Sequence, residues 1–243
     1  MKKRMTISSI ISIIMLWWLI YVIVDHNLIL PSPIDVLLTL WRLCTSGETY
    51  RVMGLSLVRL FISVITASLL GIGLGIIAGI KKKVSYFIKP YMTILRTLPI
   101  ISIAVIILIL VGFSLAPYVM TFMMVFPIVY QATENGISNI DQSYIDIYHL
   151  EHHDSLLALK MLYLPLIKPY IILSLFQSLG LGLKVLVMSE YISQTKHSIG
   201  NSLYMSKTFL NYHEVFAWTI LLIMISGLCE WVIYAYQKHS DYR

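Results

Sequence analysis

The chain alternates long apolar runs with short polar breaks, and the runs set its architecture. Six are long or apolar enough to be read as helical crossings of a bilayer: Ile7–Val24, Leu57–Ile80, Tyr86–Phe113, Ala116–Tyr130, Leu166–Met188 and Val215–Tyr236. A helix needs about 20 apolar residues to cross a hydrocarbon core. The third run is over-long and carries Lys89, Pro90, Arg96 and Pro99 in its first half, so it is expected to start as an interfacial segment. The fourth run is short. Between the first two runs, Pro31 and Pro33 fix an extended entry. Apolar positions at helical spacing from Ile34 to Trp41 then predict a short helix along the outer face.

Composition sharpens this. Of 243 residues, 58% are hydrophobic and only 12% are charged, about half the charged share of a soluble domain. The fold class expected is all-α integral membrane. The net charge is +6, but the cations cluster at the breaks, as Lys2-Lys3-Arg4 and Lys81-Lys82-Lys83. That pattern puts those breaks and both termini in the cytoplasm and argues against nucleic acid as a partner. The apolar start is too long for a signal-peptide core and lacks a small-residue cleavage site, so it reads as a retained span. Residues 1–30 hold this span and the start of the outer loop; residues 31–243 hold five spans and an inner loop, 131–165. Cys44 and Cys229 make neither a zinc motif nor a disulfide framework. No internal repeat stands out.

Three groups of residues invite a functional reading. Gly71, Gly75 and Gly79 recur every fourth position and mark one helix face for close packing. The inner loop carries acids and histidines yet keeps Ile145, Tyr148, Leu156 and Leu159 at helical spacing, which suits either a solvated connector or an amphipathic docking element. His149 and His152 share a helical face, and read as polar surface rather than as a metal site. Lys184 lies about 9 Å along the helix from Glu190. A charge at that depth either lines a pathway and attracts an anion, or is held in a structural pair, with Glu190 or a neighbouring helix. Arg96 either snorkels, pairs with an acid or touches solute. Pro99 and Pro127 are expected to bend their spans, and Trp17, Trp18, Trp218 and Trp231 to anchor at the interfaces.

The order of several segments carries a resemblance. Asp146-Ile147-Tyr148, His152, and Leu164-Pro165 eighteen and nineteen residues beyond Asp146, are similar to the coupling loop of binding-protein-dependent ABC transporter permeases. Asp146 stands where that loop usually has Glu, Ile147-Tyr148 replace two alanines, and His152 replaces a glycine. Leu30-Pro31-Ser32-Pro33, Ser56-Leu57-Val58-Arg59, Leu95-Arg96-Thr97-Leu98-Pro99, the run Gly182–Glu190, Ser198-Ile199-Gly200 and Glu214–Trp218 resemble the nitrate/sulfonate/taurine branch. The resemblance implies the type I importer fold and no enzyme activity in this chain. It also implies cytoplasmic ABC ATPase subunits that bind ATP and Mg, an extracytoplasmic solute-binding protein and a second permease subunit. The coupling contact would fall on Asp146, Ile147, Tyr148, His152, Leu164 and Pro165, and the pathway or gate on Arg96, Lys184 and Glu190. The solute would be a sulfonate-, nitrate- or taurine-like anion, or a vitamin precursor. In keeping with a separate ATPase, the chain has no G-x-x-x-x-G-K-[ST] phosphate loop.

Overall fold

The computed structural model describes residues 2–24, 30–151 and 155–240. These are helical almost throughout: α1 (Lys2–Val24), α2 (Pro33–Thr45), α3 (Gly47–Ile80), α4 (Lys82–Thr97), α5 (Ile100–Ser138), α6 (Gln142–Glu151), α7 (Ser155–Ala158), a π-helical turn (Leu159–Tyr163), α8 (Leu164–Ser193), α9 (Ile199–Thr208) and α10 (Tyr212–Ser240). Stretches in α3, in α5, from the π-turn through α8, and in α10 are long and apolar enough to cross a membrane.

The core is a three-helix arrangement of α3, α5 and α8, with α10 against it. Leu60, Val64 and Ala67 of α3 share one buried cluster with Val125, Phe126 and Val129 of α5, Leu183 and Leu186 of α8, and Trp218 and Leu221 of α10. The glycine stripe of α3 faces α5. A Cβ on Gly75 would lie 2.7 Å from Thr133 Cβ and 2.8 Å from the Tyr130 carbonyl, and one on Gly79 would lie 2.6 Å from Ile137 Cβ. The two backbones can approach this closely only without those side chains.

Inside α5 the backbone leaves helical geometry at Gly112 (φ 77°, ψ 171°), a region open in practice only to glycine. The contact between Arg96 Nη1 and Gln131 Oε1 shows how large the bend is. A straight helix would hold Ile100 and Gln131 roughly 46 Å apart, beyond the reach of an arginine four residues before Ile100. The chain therefore doubles back at Gly112, and residues 100–111 and 113–138 form two limbs. Ala104 and Ile107 of the first limb share a buried cluster with Ala116 and Met120 of the second. With this reversal and the apolar α1, the fold is consistent with six crossings.

Some expectations hold and others are corrected. The bend expected at Pro99 is present as a break at Leu98-Pro99, so α4 is a helix of its own. It turns Val84, Ile88, Met92 and Leu95 toward the core, and exposes Tyr86, Phe87 and Tyr91 together with its lysines. The fourth run extends to Ser138, so the inner loop begins eight residues later than the hydropathy suggests. α3 begins at Gly47, ten residues before its apolar run, and its first turns carry the polar Glu48, Thr49 and Arg51. The sharp departure in α5 is at Gly112; Pro127 lies within its helical limb. Trp218 is buried in the core, 4% exposed, and is no interfacial anchor. The predicted outer helix is present as α2. Ser32 caps it, its Oγ accepting from the Asp35 N–H (3.1 Å) and lying 2.6 Å from Asp35 Oδ2.

Candidate translocation and coupling site

Three regions contain the predicted site residues. The first joins the N-terminal part of α3 to the C-terminal end of α8. Glu190 is a residue of α8 rather than of the outer loop, and it is fully buried. Ser56 Oγ lies 2.9 Å from each of its carboxylate oxygens, Arg59 Nη1 donates to Oε1 at 3.1 Å, and the Gly200 N–H donates to Oε2 at 3.3 Å. Arg59 reaches further, donating to the carbonyls of His197 and Lys196, each at 3.2 Å. Ser56 Oγ also accepts from the Ile199 N–H at 3.0 Å. A buried carboxylate is tolerable only when paired and hydrogen-bonded in this way.

This knot ties α3, α8 and the start of α9 together. Gly200 is required by it. A Cβ there would sit 2.4 Å from the Tyr191 nitrogen and 2.5 Å from Glu190 Cβ. The connecting loop is further pinned by Thr195, whose hydroxyl donates to the Phe113 carbonyl (2.9 Å) beside the α5 reversal. Arg59 and Ser56 were not among the predicted site residues. The signal was available: Ser56 and Arg59 are three apart on a helix, and Glu190 in an apolar run demands a basic partner.

The second region is the middle of α8. Lys184 is exposed on the surface of the chain and lines a cavity of about 590 Å³ between α8, α9 and α10. Glu190 is committed to Arg59, and Lys184 forms no ion pair among the described residues. Among the described residues no other charged side chain lines it. Arg96 lies elsewhere, in the last turn of α4, where a cation suits the helix C-terminus and the side chain meets Gln131. The structure thus separates Arg96, Lys184 and Glu190 into three environments.

The third region is the connection between α5 and α8. Asp141 caps α6, its Oδ1 accepting from the Ser143 N–H (2.9 Å) and hydroxyl (2.7 Å). These hydrogen bonds hold its carboxyl below the usual range. Gln142 Nε2 donates to Asp146 Oδ1 at 3.0 Å along the same helix. Asp146 and Ile147 are exposed and Tyr148 is half-buried on α6; Leu164 and Pro165 open α8 after the π-turn. His152 lies outside the described residues, as do His153 and Asp154.

Comparison with known proteins adds the following. The family described as "Binding-protein-dependent transport system inner membrane component" matches residues 71–243. SsuC of Bacillus subtilis (strain 168), a permease named for aliphatic sulfonates transport, is 26% identical over 204 residues, which is 83% of this chain and 73% of the relative. TauC of Escherichia coli (strain K12), the taurine transport system permease protein, is 23% identical over 244 residues, 98% of this chain and 88% of the relative. Two inward-facing crystal forms of the MetNI methionine ABC transporter share the fold. Their TM-scores are 0.63 and 0.64 at 14% and 13% identity, over 80% of this chain and 99% of the matched chain.

Proposed function

The chain belongs to the inner membrane components of binding-protein-dependent transport systems, and from that premise we propose that it is the membrane-spanning subunit of an ATP-driven importer for a small sulfonate-type anion. An extracytoplasmic binding protein delivers the solute, two permease subunits form the path, and separate ABC ATPase subunits bind ATP and Mg. Both termini face the cytoplasm, the side of the lysine clusters. The names of the two relatives, one for aliphatic sulfonates and one for taurine, support the solute class.

The observation that carries this reading is the placement of α6. It is strung between α5 and α8, both central to the core, yet it packs chiefly on the π-turn that follows it. Tyr144 and Ile147 on α6 and Met161 on the turn are 56%, 60% and 64% exposed. Apolar side chains left open on a capped helix outside the apolar spans suit a partner's groove. Asp146, Ile147, Tyr148, His152, Leu164 and Pro165 form the coupling contact. When the ATPases close on nucleotide, α6 is displaced, and it pulls on α5 and α8 from their inner ends. Those two helices meet α3 through glycine-mediated contacts and carry the motion to the outer knot of Ser56, Arg59, Glu190 and Gly200. That knot acts as the outer gate's fixed pin, with Lys184 on the path and Arg96 bracing α4 against α5.

The test is co-purification with a cognate ABC ATPase and ATP hydrolysis in proteoliposomes supplied with loaded binding protein. Wild type should assemble and show stimulated hydrolysis, and Asp146→Arg should lose assembly or stimulation. An intact wild-type chain that recruits no ATPase would overturn the importer reading.

A further inference from the structure

Helix α4 carries two exposed edges of different chemistry. Lys82, Lys89 and Arg96 recur every seven residues, close to two turns of helix, and form one stripe. Phe87, Tyr91 and Ile94, at spacings of four and three, form another. All six side chains are exposed. The face between the stripes packs inward through Ile88, Met92 and Leu95. At 3.6 residues per turn the two stripes lie on opposite sides of that packed face, roughly 170° apart. The helix also slants across the bundle. Ser85 donates to Glu134 at 2.6 Å, and Arg96 meets Gln131. Ser85 and Arg96 are about 16 Å apart along α4, whereas their partners are only about 4.5 Å apart along α5. α4 is therefore steeply inclined to the second limb of α5, near the end that leads into α6. It has 16 residues and is not among the stretches long and apolar enough to cross a membrane.

We propose that α4 is a binding site for anionic phospholipid. Lys82 and Lys89, joined by Lys81 and Lys83 at the start of the helix, hold the headgroup phosphates, and Phe87, Tyr91 and Ile94 enter the acyl layer. A helix with a basic edge on one side and an apolar edge on the other matches the boundary between headgroups and hydrocarbon. The charge of this region is of one sign: the chain has no Asp or Glu between Glu48 and Glu134. Beyond Pro99 the exposed apolar surface runs on through Ile101, Val105 and Ile109, in a stretch apolar enough to cross the membrane. A soluble anion would meet the lysines and leave the aromatic edge in water, so the two edges together select a lipid. Each lysine near an anionic surface favours binding by up to about fivefold, and salt screens the effect. Through Ser85 and Arg96 the bound lipid steadies the part of α5 that leads into α6. The site goes beyond the importer reading and needs neither solute nor ATPase.

The experiment places an indole on the apolar edge and asks which lipid touches it. The full chain carrying Phe87→Trp is reconstituted into vesicles of phosphatidylcholine and phosphatidylglycerol in which one lipid or the other is brominated. Quenching of the chain without the substitution is subtracted, which isolates the added indole. Phe87 is exposed, so the fold accepts the larger ring. Brominated phosphatidylglycerol should quench at a several-fold lower mole fraction than brominated phosphatidylcholine, and the preference should shrink as salt rises. Adding Lys82→Gln and Lys89→Gln should lower the preference by about fivefold or more, while quenching by brominated phosphatidylcholine persists. Arg51→Gln with Lys207→Gln removes the same charge from exposed positions elsewhere and should leave the preference unchanged. Equal quenching by the two lipids, or a preference that survives the loss of both lysines, would overturn the proposal. So would quenching by neither lipid, which would mean that a second copy of the chain covers the edge. With no ATPase or binding protein in the vesicles, failure here leaves the importer reading standing.

Discussion

Truncating Arg59 exposes how much of the outer architecture depends on one guanidinium. In Arg59→Ala the Glu190 carboxylate stays where it is, fully buried, with only Ser56 and the Gly200 N–H left to it. Arg59 is itself 12% exposed, so its pairing with Glu190 at 3.1 Å is largely shielded from water. Removing one partner of such a pair costs about 3–5 kcal/mol, because the remaining charge is stranded. The lost donors to the Lys196 and His197 carbonyls add little, since those groups lie toward the surface and water can replace the guanidinium. Equilibrium unfolding in mixed micelles would measure the loss, and limited trypsin cleavage at Lys196 would report whether the loop has detached. The double variant Arg59→Ala/Glu190→Gln removes the stranded charge and should recover part of the loss, with a coupling of about 0.5–3 kcal/mol. Arg59→Lys should rescue only partly, since one ammonium cannot span a carboxylate and two carbonyls. A loss below about 1 kcal/mol for Arg59→Ala, or strict additivity in the double variant, would refute the view of this cluster as a buried, interdependent pin.

Other substitutions test the packing and the caps. Gly75→Ala should destabilise by about 1–3 kcal/mol because Thr133 and the Tyr130 carbonyl block the new methyl. Gly73→Ala, whose Cβ meets nothing within 4 Å, should be neutral or gain up to about 1 kcal/mol, read in the same unfolding assay. Gly112→Ala should cost about 1–3 kcal/mol by forcing a side chain into the conformation that reverses α5. A spin-label distance between the two limbs would check that the hairpin opens. The α6 cap should depend on pH with a defined sign. The folded pKa of Asp141 is lowered, so its contribution is full above the ordinary carboxyl value of about 3.9 and is lost as pH falls through the lowered value. Hydrogen exchange at the start of α6 should be unchanged between pH 7 and 5 once corrected for intrinsic rates, and protection should fall below about pH 4.

The sequence by itself determined what depends on local composition and period. Apolar runs of membrane length could only become helices, because lipid offers no partner for backbone groups. The Ser32-Pro33 entry carried its own helix start, and the glycines at every fourth position of α3 announced a packing face before its partner was known. The inner connection could be recognised as a distinct element from its polarity and its Leu164-Pro165 boundary.

Only tertiary structure decided which groups meet. That Gly75 faces Thr133, that Glu190 answers Arg59 rather than Lys184, and that Arg96 touches Gln131 are facts of long-range approach, with separations of 131 residues for the first ion pair and 35 for the last contact. Hydropathy placed Glu190 at a span end because a carboxylate scores as polar wherever it lies. Burial in the fold is tolerated because two other segments, α3 and α9, bring donors to it. The same scoring placed Trp218 at an interface, whereas the packing of α10 against α2, α8 and α9 buries it. The division between the third and fourth runs, at Ser114-Leu115, already marked the reversal to within a few residues, but its cause is Gly112, whose dihedral angles leave the hydropathy unchanged. The cavity beside Lys184 is a property of the space between three helices, and no window of sequence contains it.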